Sequence, residues 1–471
     1  MLSEYDLAII GAGAGGLIAA RFAATLGARV LLVERDRIGG DCTWTGCVPS
    51  KSLIRVAKAV HEIRTAERFG VTTGPCDVNM RRVRDFVQRK VHEIYAPTAP
   101  EMLESEGIDV AMGAASFESA RVLHVGTRAI RAKAFLICTG ASPTAPDIQG
   151  LADVPYFTYH SIFDVEQLPE SLVVIGGGPL GMELAQAFQR LGSRVTVVAN
   201  GLLPHDDPEA AAVIEHVCER EGVRFVRGRA VSVRCDGGIT LVSTDNATTA
   251  SGQHLLVAAG RRPNIRGLGL DLAGITHSDR RIVVDEWLRT NVSHIYAAGD
   301  VIGGEQFSHV AGWQAFEATR NALLPGRDRG HPNPMAWVTF TDPEVAHVGL
   351  TEAAARARLG DALTVTRWDI GRVDRAKCDD DEDGFIKLMS DAKGRLIGAT
   401  IVASRAGEMS NEISLAVARR LTVGDVATAV HAYPTYATAL QQMSSQVATA
   451  RWTTSRAGRL VSRLRGYGRR S

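Results

Sequence analysis

The chain alternates short apolar runs with glycine-rich turns and helical patterns, an order typical of α/β domains. The first run, YDLAII at 5–10, enters GAGAGG and is followed by an alanine-rich segment from about Leu17 to Leu26. A second apolar run, RVLLVE, ends at Glu34. Strand, tight turn, helix and strand in this order form a βαβ unit, so we predict a Rossmann-like domain at the start of the chain.

The same order returns later in the chain. LVVIG at 172–176 enters GGGPLG, and a helical segment through Glu183 to Leu191 precedes the apolar run RVTVV. This predicts a second Rossmann-like domain. Three more apolar runs read as strands that lead to a cofactor: AFLICTG at 134–140, HLLVAAGRRPN at 254–264 and HIYAAGDV at 294–301.

The last third of the chain has a different pattern. From about Asn333, VTFTDPEVAHVGLTE, GFIKLM and GRLIGATIVA predict a meander of strands, and SNEISLAVARRL predicts a helix. We therefore expect an α/β protein with two Rossmann-like dinucleotide-binding domains and a C-terminal α+β domain.

Composition narrows the classes of partner. With 471 residues the chain is too long for one core and suggests roughly three domains. The formal net charge is only +1, so no global field indicates a nucleic acid. The N-terminus lacks a secretory pattern, and no apolar run approaches the ~20 residues of a membrane span. We expect a soluble, cytoplasmic protein that binds neither nucleic acid nor a resident metal.

The glycine spacing supplies the first candidate chemistry. Gly11, Gly13 and Gly16 have the G-x-G-x-x-G spacing, which lets the backbone approach a pyrophosphate at a helix N-terminus. Glu34, at the end of the second strand, is placed to accept from ribose hydroxyls. With strand, helix and acid all in register, the pattern predicts a dinucleotide site.

The second fingerprint differs at the ribose position. Gly176, Gly178 and Gly181 repeat the glycine spacing, but Ala199 and Asn200 stand where an acid would bind the ribose hydroxyls. Without a carboxylate there is no repulsion toward a 2′-phosphate, which favours NADP over NAD. Asn200 can hydrogen-bond either coenzyme.

Three residues at strand ends complete the predicted cofactor contacts. Gly140 and Gly260 follow apolar runs, and Asp300 follows a glycine where a carboxylate could bind a polyol or ribose hydroxyl. The alternative for Asp300 is a loop aspartate that caps a helix.

The stretch GGDCTWTGC places Cys42 and Cys47 five residues apart among glycines. A zinc site needs two more ligands at short spacing, and none of the other five cysteines is suitably paired. Five residues of regular helix span about 7.5 Å, beyond the usual Cα separation in a disulfide. A bond between them therefore requires distortion, for which Gly46 and Pro49 are suited. A strained disulfide beside a helix start is easily reduced, which favours a redox couple.

GGDCTWTGCVPSK, the two fingerprints, TG at 139–140 and AAGD at 297–300 together resemble the class I pyridine nucleotide-disulfide oxidoreductases, a family with mercuric reductase-like and dihydrolipoamide dehydrogenase-like members. The resemblance runs from residue 5 to about 450. It implies FAD on the first fingerprint, NADP (or NAD) on the second, and a homodimer. The expected domains are an FAD-binding domain at 1–150 and 276–330, an NAD(P)-binding domain at 151–275, a dimerisation domain at 333–450 and a basic tail at 451–471.

The resemblance also assigns roles to individual residues. It implies that Cys47 is the flavin-proximal sulfur, able to form a charge-transfer contact, and that Cys42 is the outer sulfur that attacks the acceptor. Lys51 and Glu183 resemble the family's ion pair near the flavin N5, and Asp300 resembles its flavin-contacting aspartate.

One part of the family pattern is missing. The family carries a His before a Pro and a Glu five residues after that His, an acid–base dyad that acts across the dimer. Here Tyr433 precedes Pro434 and Thr438 takes the place of the Glu. A phenol is a poor base at neutral pH, which places ordinary thiol–disulfide turnover in doubt. His431 is an alternative base, although an interface or solvent role is the more ordinary prediction for it.

The Tyr near this proline and the loss of the acid at Ala199 resemble mercuric reductase, yet no cysteine follows Cys378. We predict an FAD-dependent NAD(P)H oxidoreductase that passes electrons through Cys42 and Cys47 to a disulfide, a soft metal ion or a quinone-like acceptor. The alternative is a flavin-binding redox sensor with little turnover.

The tail after residue 450 carries seven arginines and no acid. Leu460, Val461 and Leu464 fit one helical stripe, which permits a segment lying on an anionic membrane. A solvated, frayed tail is the expectation we favour.

Overall fold

The computed structural model describes residues 3–465, with side chains from Tyr5 onward. The chain forms two compact units. The first contains residues up to 176, 187–200 and 223–332, and the second contains 177–186, 201–222 and the residues from 333 onward. The domain boundaries expected from sequence remain predictions.

The strands, in chain order, are β1 Ser3–Ile10, β2 Val30–Glu34, β3 Ile108–Met112, β4 Ala115–Ser119, β5 Val122–Val125, β6 Arg128–Ile137, β7 Ala141–Pro143, β8 Ser171–Ile175, β9 Arg194–Ala199, β10 Arg224–Arg227, β11 Ala230–Asp236, β12 Ile239–Thr244, β13 Thr249–Gly252, β14 His254–Val257, β15 Arg261–Pro263, β16 His277–Ser278, β17 Arg281–Ile282, β18 Ile295–Ala297, β19 Ala336–Thr339, β20 Glu344–Gly349, β21 Thr364–Asp369, β22 Phe385–Ser390 and β23 Leu396–Ala403.

The α-helices are α1 Ala14–Thr25, α2 Gly40–Trp44, α3 Cys47–Arg64, α4 Met80–Tyr95, α5 Pro100–Ser105, α6 Pro179–Leu191, α7 Pro208–Arg220, α8 Ser308–Leu323, α9 Glu352–Leu359, α10 Asp374–Asp379, α11 Ala406–Ala418, α12 Val423–Thr428, α13 Thr438–Thr454 and α14 Arg456–Leu464. None of the helices in the described residues is both long and apolar enough to span a membrane.

The first unit is built on a seven-stranded sheet in the order β3-β2-β1-β6-β5-β4, with β18 also paired to β6. β1 runs parallel to both β2 and β6, and β18 runs parallel to β6. The carboxyl ends of these strands therefore meet at one edge, where ligands of such sheets bind. Full burial of Leu7, Ile9 and Leu32 explains why the runs read as continuously apolar.

A second parallel sheet in the same unit has the order β10-β9-β8-β14. β8 pairs in parallel with both β9 and β14. Beside it in sequence, β11, β12 and β13 form an antiparallel sheet of three strands. The prediction of two Rossmann-like folds is confirmed.

The second unit contains an antiparallel sheet in the order β19-β20-β23-β22-β21. Ile386 and Ile401, on neighbouring strands, share one buried core with Ile413 of α11 and Leu440 of α13. Helices packed on an antiparallel sheet confirm the predicted C-terminal α+β fold.

This unit also buries a charged cluster. The Lys387 side chain is 4% exposed, and its Nζ lies 2.8 Å from Glu209 and 2.7 Å from Glu352. Asp207 is 3.3 Å from the same ammonium and accepts a hydrogen bond from Thr400. Because a buried charge needs partners, this cluster fastens the segment at 201–222 to β22 and β23.

Asp206 gives the stability of this unit a testable pH dependence. Burial raises the pKa of Asp206 to about 6, while Trp337 donates a hydrogen bond to it. Between the unfolded value near 3.9 and the folded value the native state binds the extra proton, so stability falls as pH rises. We expect Asp206→Asn to stabilise the protein by about 1–2 kcal/mol near pH 8 and by about half as much near pH 5. Urea midpoints at both pH values measure this.

Asp361→Asn is the matched control, since Asp361 is exposed in the same unit. An equal gain at both pH values would contradict the assignment of the effect to Asp206 ionisation.

Candidate active site

Cys42 lies in α2, and Cys47 is the first residue of α3. The helical path breaks between them at Thr45 and Gly46, where a Cβ on Gly46 would lie 2.8 Å from the carbonyl oxygen of Asp41. Both cysteines are thiols, and a hydrogen bond joins their side chains. The break therefore permits the sulfur contact that a regular helix would prevent.

The two sulfurs have different environments. The hydrogen bond to Cys47, then burial and the charge on the neighbouring sulfur, raise the pKa of Cys42. Cys47 begins an 18-residue helix without a side-chain cap, a position that favours negative charge. The Ser308 hydroxyl lies 3.4 Å from its sulfur. The hydrogen bond and burial therefore favour the protonated form of Cys42.

The first glycine fingerprint forms a backbone cradle. Gly11 has φ +99° at the end of β1, and a Cβ there would lie 2.5 Å from the Cys138 carbonyl oxygen. A Cβ on Gly16 would lie 1.9 Å from the Gly11 oxygen. Gly13 precedes α1 and provides no side-chain cap, so the first-turn N–H groups remain available to an anion.

Glu34 lies at the end of β2, beside this cradle. Its carboxylate accepts hydrogen bonds from the N–H groups of Ala12 at 2.8 Å and Asp36 at 2.9 Å. Each carboxylate oxygen keeps a second lone pair for a ribose hydroxyl. A cavity of about 250 Å³ is lined by Gly11, Gly13, Glu34, Cys42 and Asp300, among others, so the cradle and the Cys42 thiol line the same cavity.

The same cavity contains an ion-pair network that the sequence analysis missed. Arg261 Nη1 lies 2.8 Å from buried Asp300, and its Nη2 lies 3.3 Å from Asp41. Tyr159 donates to the same Asp41 oxygen at 2.8 Å. Burial raises the pKa of Asp300, and the charge of Arg261 opposes this rise. Two features of the sequence could have indicated these ion pairs: Arg261 directly follows Gly260, and Asp41 directly precedes Cys42.

Two more predicted glycines adopt left-handed backbone. Gly140 follows β6 with φ +67°, lines the cavity and accepts a hydrogen bond from the Asn264 N–H. Gly260 has φ +87°, and a Cβ there would lie 3.1 Å from Thr144. Both positions place the following backbone, Ala141 and Arg261, at the cavity wall.

The second fingerprint is divided between the two compact units. In the first unit Gly176 ends β8 with φ +124°, where a Cβ would lie 2.6 Å from the Ala258 oxygen, and exposed Asn200 follows β9. In the second unit Gly178 and Gly181 lie at the start of α6. Their joint role in coenzyme binding remains a prediction.

Lys51 lies in α3 of the first unit, and Glu183 lies in α6 within the second. Glu183 is buried and accepts a hydrogen bond from the Phe340 N–H at 2.8 Å. The ion pair between Lys51 and Glu183 remains a prediction.

The residues in place of the missing dyad make other contacts. Tyr433 is 68% exposed, and the hydrogen bond to Asp374 raises its pKa, which makes it a still weaker base. Thr438 donates to the Ala432 carbonyl. Neither side chain supplies the basic nitrogen of the family dyad.

His431 has a structural environment. Its side chain is 8% exposed, with Nε2 3.0 Å from Glu412 and Nδ1 3.0 Å from the Ala429 carbonyl. Both ring nitrogens therefore already have hydrogen-bond partners within the same chain. Across residues 3–465, no group of three or more His, Cys, Asp or Glu side chains has a geometry suited to a metal ion.

These features define a class: a nucleotide-binding α/β protein whose cofactor cavity is lined by one cysteine of a close pair. The chain belongs to the pyridine nucleotide-disulphide oxidoreductase family, whose profile matches residues 5–315 and whose dimerisation domain matches 335–444. The resemblance expected from sequence is confirmed, and so is its identification as an oxidoreductase. The dimerisation domain supports the predicted homodimer.

Individual relatives agree with this assignment. Mercuric reductase from Streptomyces lividans is 38% identical over 450 residues, which cover 93% of this chain and 95% of that protein. Dihydrolipoyl dehydrogenase from Chlamydia muridarum is 32% identical over 449 residues, with 93% and 95% covered. The crystal structure of LpdA from Mycobacterium tuberculosis has a TM-score of 0.87 at 30% identity and covers 95% of this chain and 100% of that one.

A further solved relative is the HOCl-induced flavoprotein disulfide reductase RclA from Escherichia coli, also determined as a Cu(II) complex. Its TM-score is 0.84 at 26% identity, with 94% of this chain and 100% of that chain covered.

The family uses FAD and NAD(P)H, as predicted, and the first unit fits FAD. A Cβ on Gly11 or Gly16 would clash with nearby backbone, and the uncapped α1 N-terminus offers N–H groups to a diphosphate. Glu34 and Asp300 offer oxygens to ribose and ribityl hydroxyls. When bound, FAD supplies two-electron transfer between nicotinamide and the dithiol.

Proposed function

We propose that the protein is a cytoplasmic, homodimeric NAD(P)H-dependent reductase that passes two electrons through its flavin to the Cys42–Cys47 pair and on to an external acceptor. The observation that carries this proposal is the contact between the Cys42 thiol, which lines the cofactor cavity, and the Cys47 thiol at the start of α3. In the oxidised protein the pair forms one disulfide bond. The two electrons and one proton of the hydride from NAD(P)H convert that bond into one thiol and one thiolate, and NAD(P)H becomes NAD(P)⁺.

The residues divide the work between the sulfurs. Cys47, at the start of α3, holds negative charge, and Ser308 supplies a hydrogen bond to it. Cys42 holds the proton and reaches the acceptor as the nucleophile once that proton has left. Re-oxidation forms the Cys42–Cys47 bond again and leaves the acceptor two electrons richer.

The replacement of the family's acid–base dyad by Tyr433 and Thr438 supports a soft metal ion as the acceptor. A disulfide acceptor releases a thiolate that needs a proton, and Tyr433 and Thr438 are poor donors of the kind the dyad provides. A soft cation bound by thiolates needs no such donor. A disulfide and a quinone-like carrier are the other acceptors to test.

We expect anaerobic titration of the purified yellow protein with NADPH to produce a long-wavelength charge-transfer band. The band arises when reduction of the disulfide leaves a thiolate at Cys47 beside the flavin. Cys47→Ser should remove the band, and the flavin should then bleach directly. Absorbance through the flavin bands and beyond measures both outcomes.

Cys378→Ser is the matched control, because Cys378 is exposed and lies on α10, away from the cysteine pair in sequence. A titration of the Cys47→Ser variant that matched the unmodified protein would contradict the proposal. A parallel titration with NADH tests the preference for NADP predicted from Ala199 and Asn200. If that preference holds, reduction is complete at a lower concentration of NADPH than of NADH.

The missing dyad also supports a second candidate, a flavin-binding redox sensor with little turnover. Steady-state assays with Hg(II), Cu(II), a small disulfide and a quinone separate the two. Rapid turnover with any of them excludes the sensor, whereas reduction of the dithiol without turnover supports it.

A further inference from the structure

The described part of the C-terminal tail forms a helix instead of irregular chain. α14 begins after Ser455, whose side chain accepts from the Gly458 N–H at 3.0 Å and donates to the Trp452 carbonyl. A Cβ on Gly458 would lie 2.0 Å from the Trp452 oxygen, so α14 starts in close contact with the end of α13. Arg451 donates to the Ala392 carbonyl and fastens that end of α13.

The exposed face of α14 is apolar. At 3.6 residues per turn, Leu460, Val461 and Leu464 lie on one side of the helix. Their exposed fractions are 58%, 39% and 77%. Trp452, in the last turn of α13, is 51% exposed. Aliphatic side chains this accessible at the end of a water-soluble fold indicate a contact surface.

Arginines border this face on both sides. By helical geometry Arg456, Arg459 and Arg463 lie along one edge of the apolar stripe, and Arg465 lies along the other. All four arginines are exposed, and within residues 3–465 none of them forms an ion pair. The tail after residue 450 contains no Asp or Glu to neutralise them.

We propose that α14 is a membrane-surface anchor, which lies in the headgroup region of an anionic bilayer with its leucines directed into the acyl chains. Two observations select this occupant. The four exposed arginines call for a negatively charged surface, and the aliphatic stripe between them calls for an apolar phase below that charge. The anchor also lies beyond residue 444, where the match to the dimerisation domain ends.

A nucleic acid would match the arginines but would leave the leucine stripe in water. An acidic protein surface, including that of a second copy, is the remaining alternative and is an outcome of the test. The proposal does not depend on the acceptor of the dithiol.

The test is co-sedimentation of the full-length, FAD-loaded protein with vesicles. Vesicles of phosphatidylcholine mixed with phosphatidylglycerol are compared with vesicles of phosphatidylcholine alone. We expect binding to the mixed vesicles only, and weaker binding at high salt. The joint substitution of Arg456, Arg459 and Arg463 by Gln should lower the partition coefficient on the order of a hundredfold. Leu460→Ser with Leu464→Ser should lower it at least about tenfold.

Matched controls use exposed side chains of the first unit. Arg121, Arg131 and Arg224 to Gln removes the same charge, and Leu272→Ser with Leu324→Ser removes the same apolar groups. The controls should bind as the unmodified protein does. Retained flavin absorbance shows that each variant is folded.

Equal pelleting of the tail variants and the unmodified protein overturns the proposal, as does no pelleting with either vesicle. Sedimentation velocity covers the alternative occupant. If the tail substitutions dissociate a higher oligomer and the unmodified protein binds neither kind of vesicle, this face is a contact between copies of the chain. The membrane-anchor proposal is then wrong.

Discussion

Replacement of Cys42 by serine is expected to abolish reduction of every acceptor that depends on the dithiol while leaving reduction of the flavin by NADPH intact. The reason lies in the division of charge between the sulfurs. The hydrogen bond to Cys47 and burial raise the pKa of Cys42, and we proposed above that Cys47, at the start of α3, holds the negative charge. Serine at 42 cannot form the disulfide, so electrons that reach the flavin have no outlet. We expect acceptor turnover to fall by on the order of a thousandfold or more.

The variant has a positive signature as well. Cys47 in Cys42→Ser cannot be oxidised to the intramolecular disulfide, so its thiolate should persist beside the oxidised flavin. A charge-transfer band should therefore be present before any reductant is added, and acid should remove it as the thiolate is protonated. Stopped-flow absorbance with NADPH gives flavin reduction, and coupled assays give turnover.

Cys235→Ser is a suitable control, because Cys235 is an exposed thiol of the same unit, on β11. Turnover in Cys42→Ser equal to that of the control would mean that the acceptor takes electrons directly from the flavin. The cysteine pair would then have no part in the reaction.

Much of the fold could be predicted because each Rossmann-like unit is a local pattern. The run through Gly11 to Glu34 combines strand, turn, helix and strand within a short segment, and the structure has β1, α1 and β2 there. The antiparallel sheet of the second unit was predicted in the same way, from runs such as β22 and β23 that lie close together in the chain.

Contacts between distant residues could not be predicted. Asp41 precedes Cys42, and Arg261 is 220 positions further along the chain. Nothing in either local pattern says that the two side chains meet, because their encounter depends on how β15 pairs with β7. The sequence therefore indicated Asp300 as a cofactor ligand and missed the arginine that holds it.

In the tail the local pattern was informative, but the sequence did not show whether the helix would form. The sequence alone predicts a helical stripe here, but termini commonly lack partners, which favours a frayed segment. The helix forms because Ser455 caps it and Gly458 allows close packing on α13. Both effects depend on individual atomic contacts, and the pattern of apolar and polar residues does not predict such contacts.

Substitution of Arg261 by glutamine is expected to have the second large effect, on stability and on retention of FAD. Arg261 pairs with Asp300, whose side chain is 11% exposed, and with Asp41. Its removal leaves a buried carboxylate without its cation, which costs more than the pair itself contributes. Since Arg261 is 28% exposed, we expect a loss of about 2–4 kcal/mol, less than for a fully buried pair. FAD affinity should fall at least about tenfold, because both carboxylates line the cofactor cavity.

The sign of the pH dependence follows from Asp300. Burial already raises the pKa of Asp300 while Arg261 opposes the rise, so loss of Arg261 raises that pKa further. The folded variant then binds a proton that the unfolded chain releases, and its stability falls as pH increases through the folded pKa. The difference from the unmodified protein should therefore be largest in alkaline buffer and should shrink on acidification. Denaturant midpoints and FAD titration of the apoprotein across pH measure the two effects.

A double variant separates lost charge pairing from general disruption. Arg261→Gln combined with Asp300→Asn removes both buried charges, so it should recover part of the stability lost by Arg261→Gln alone. Arg262→Gln, at the exposed neighbouring arginine, should change neither stability nor FAD affinity. If the double variant is less stable than Arg261→Gln by the full cost of Asp300→Asn measured alone, the two side chains are uncoupled. Arg261 would then act through packing against Tyr159, over whose ring its guanidinium lies at 5.5 Å.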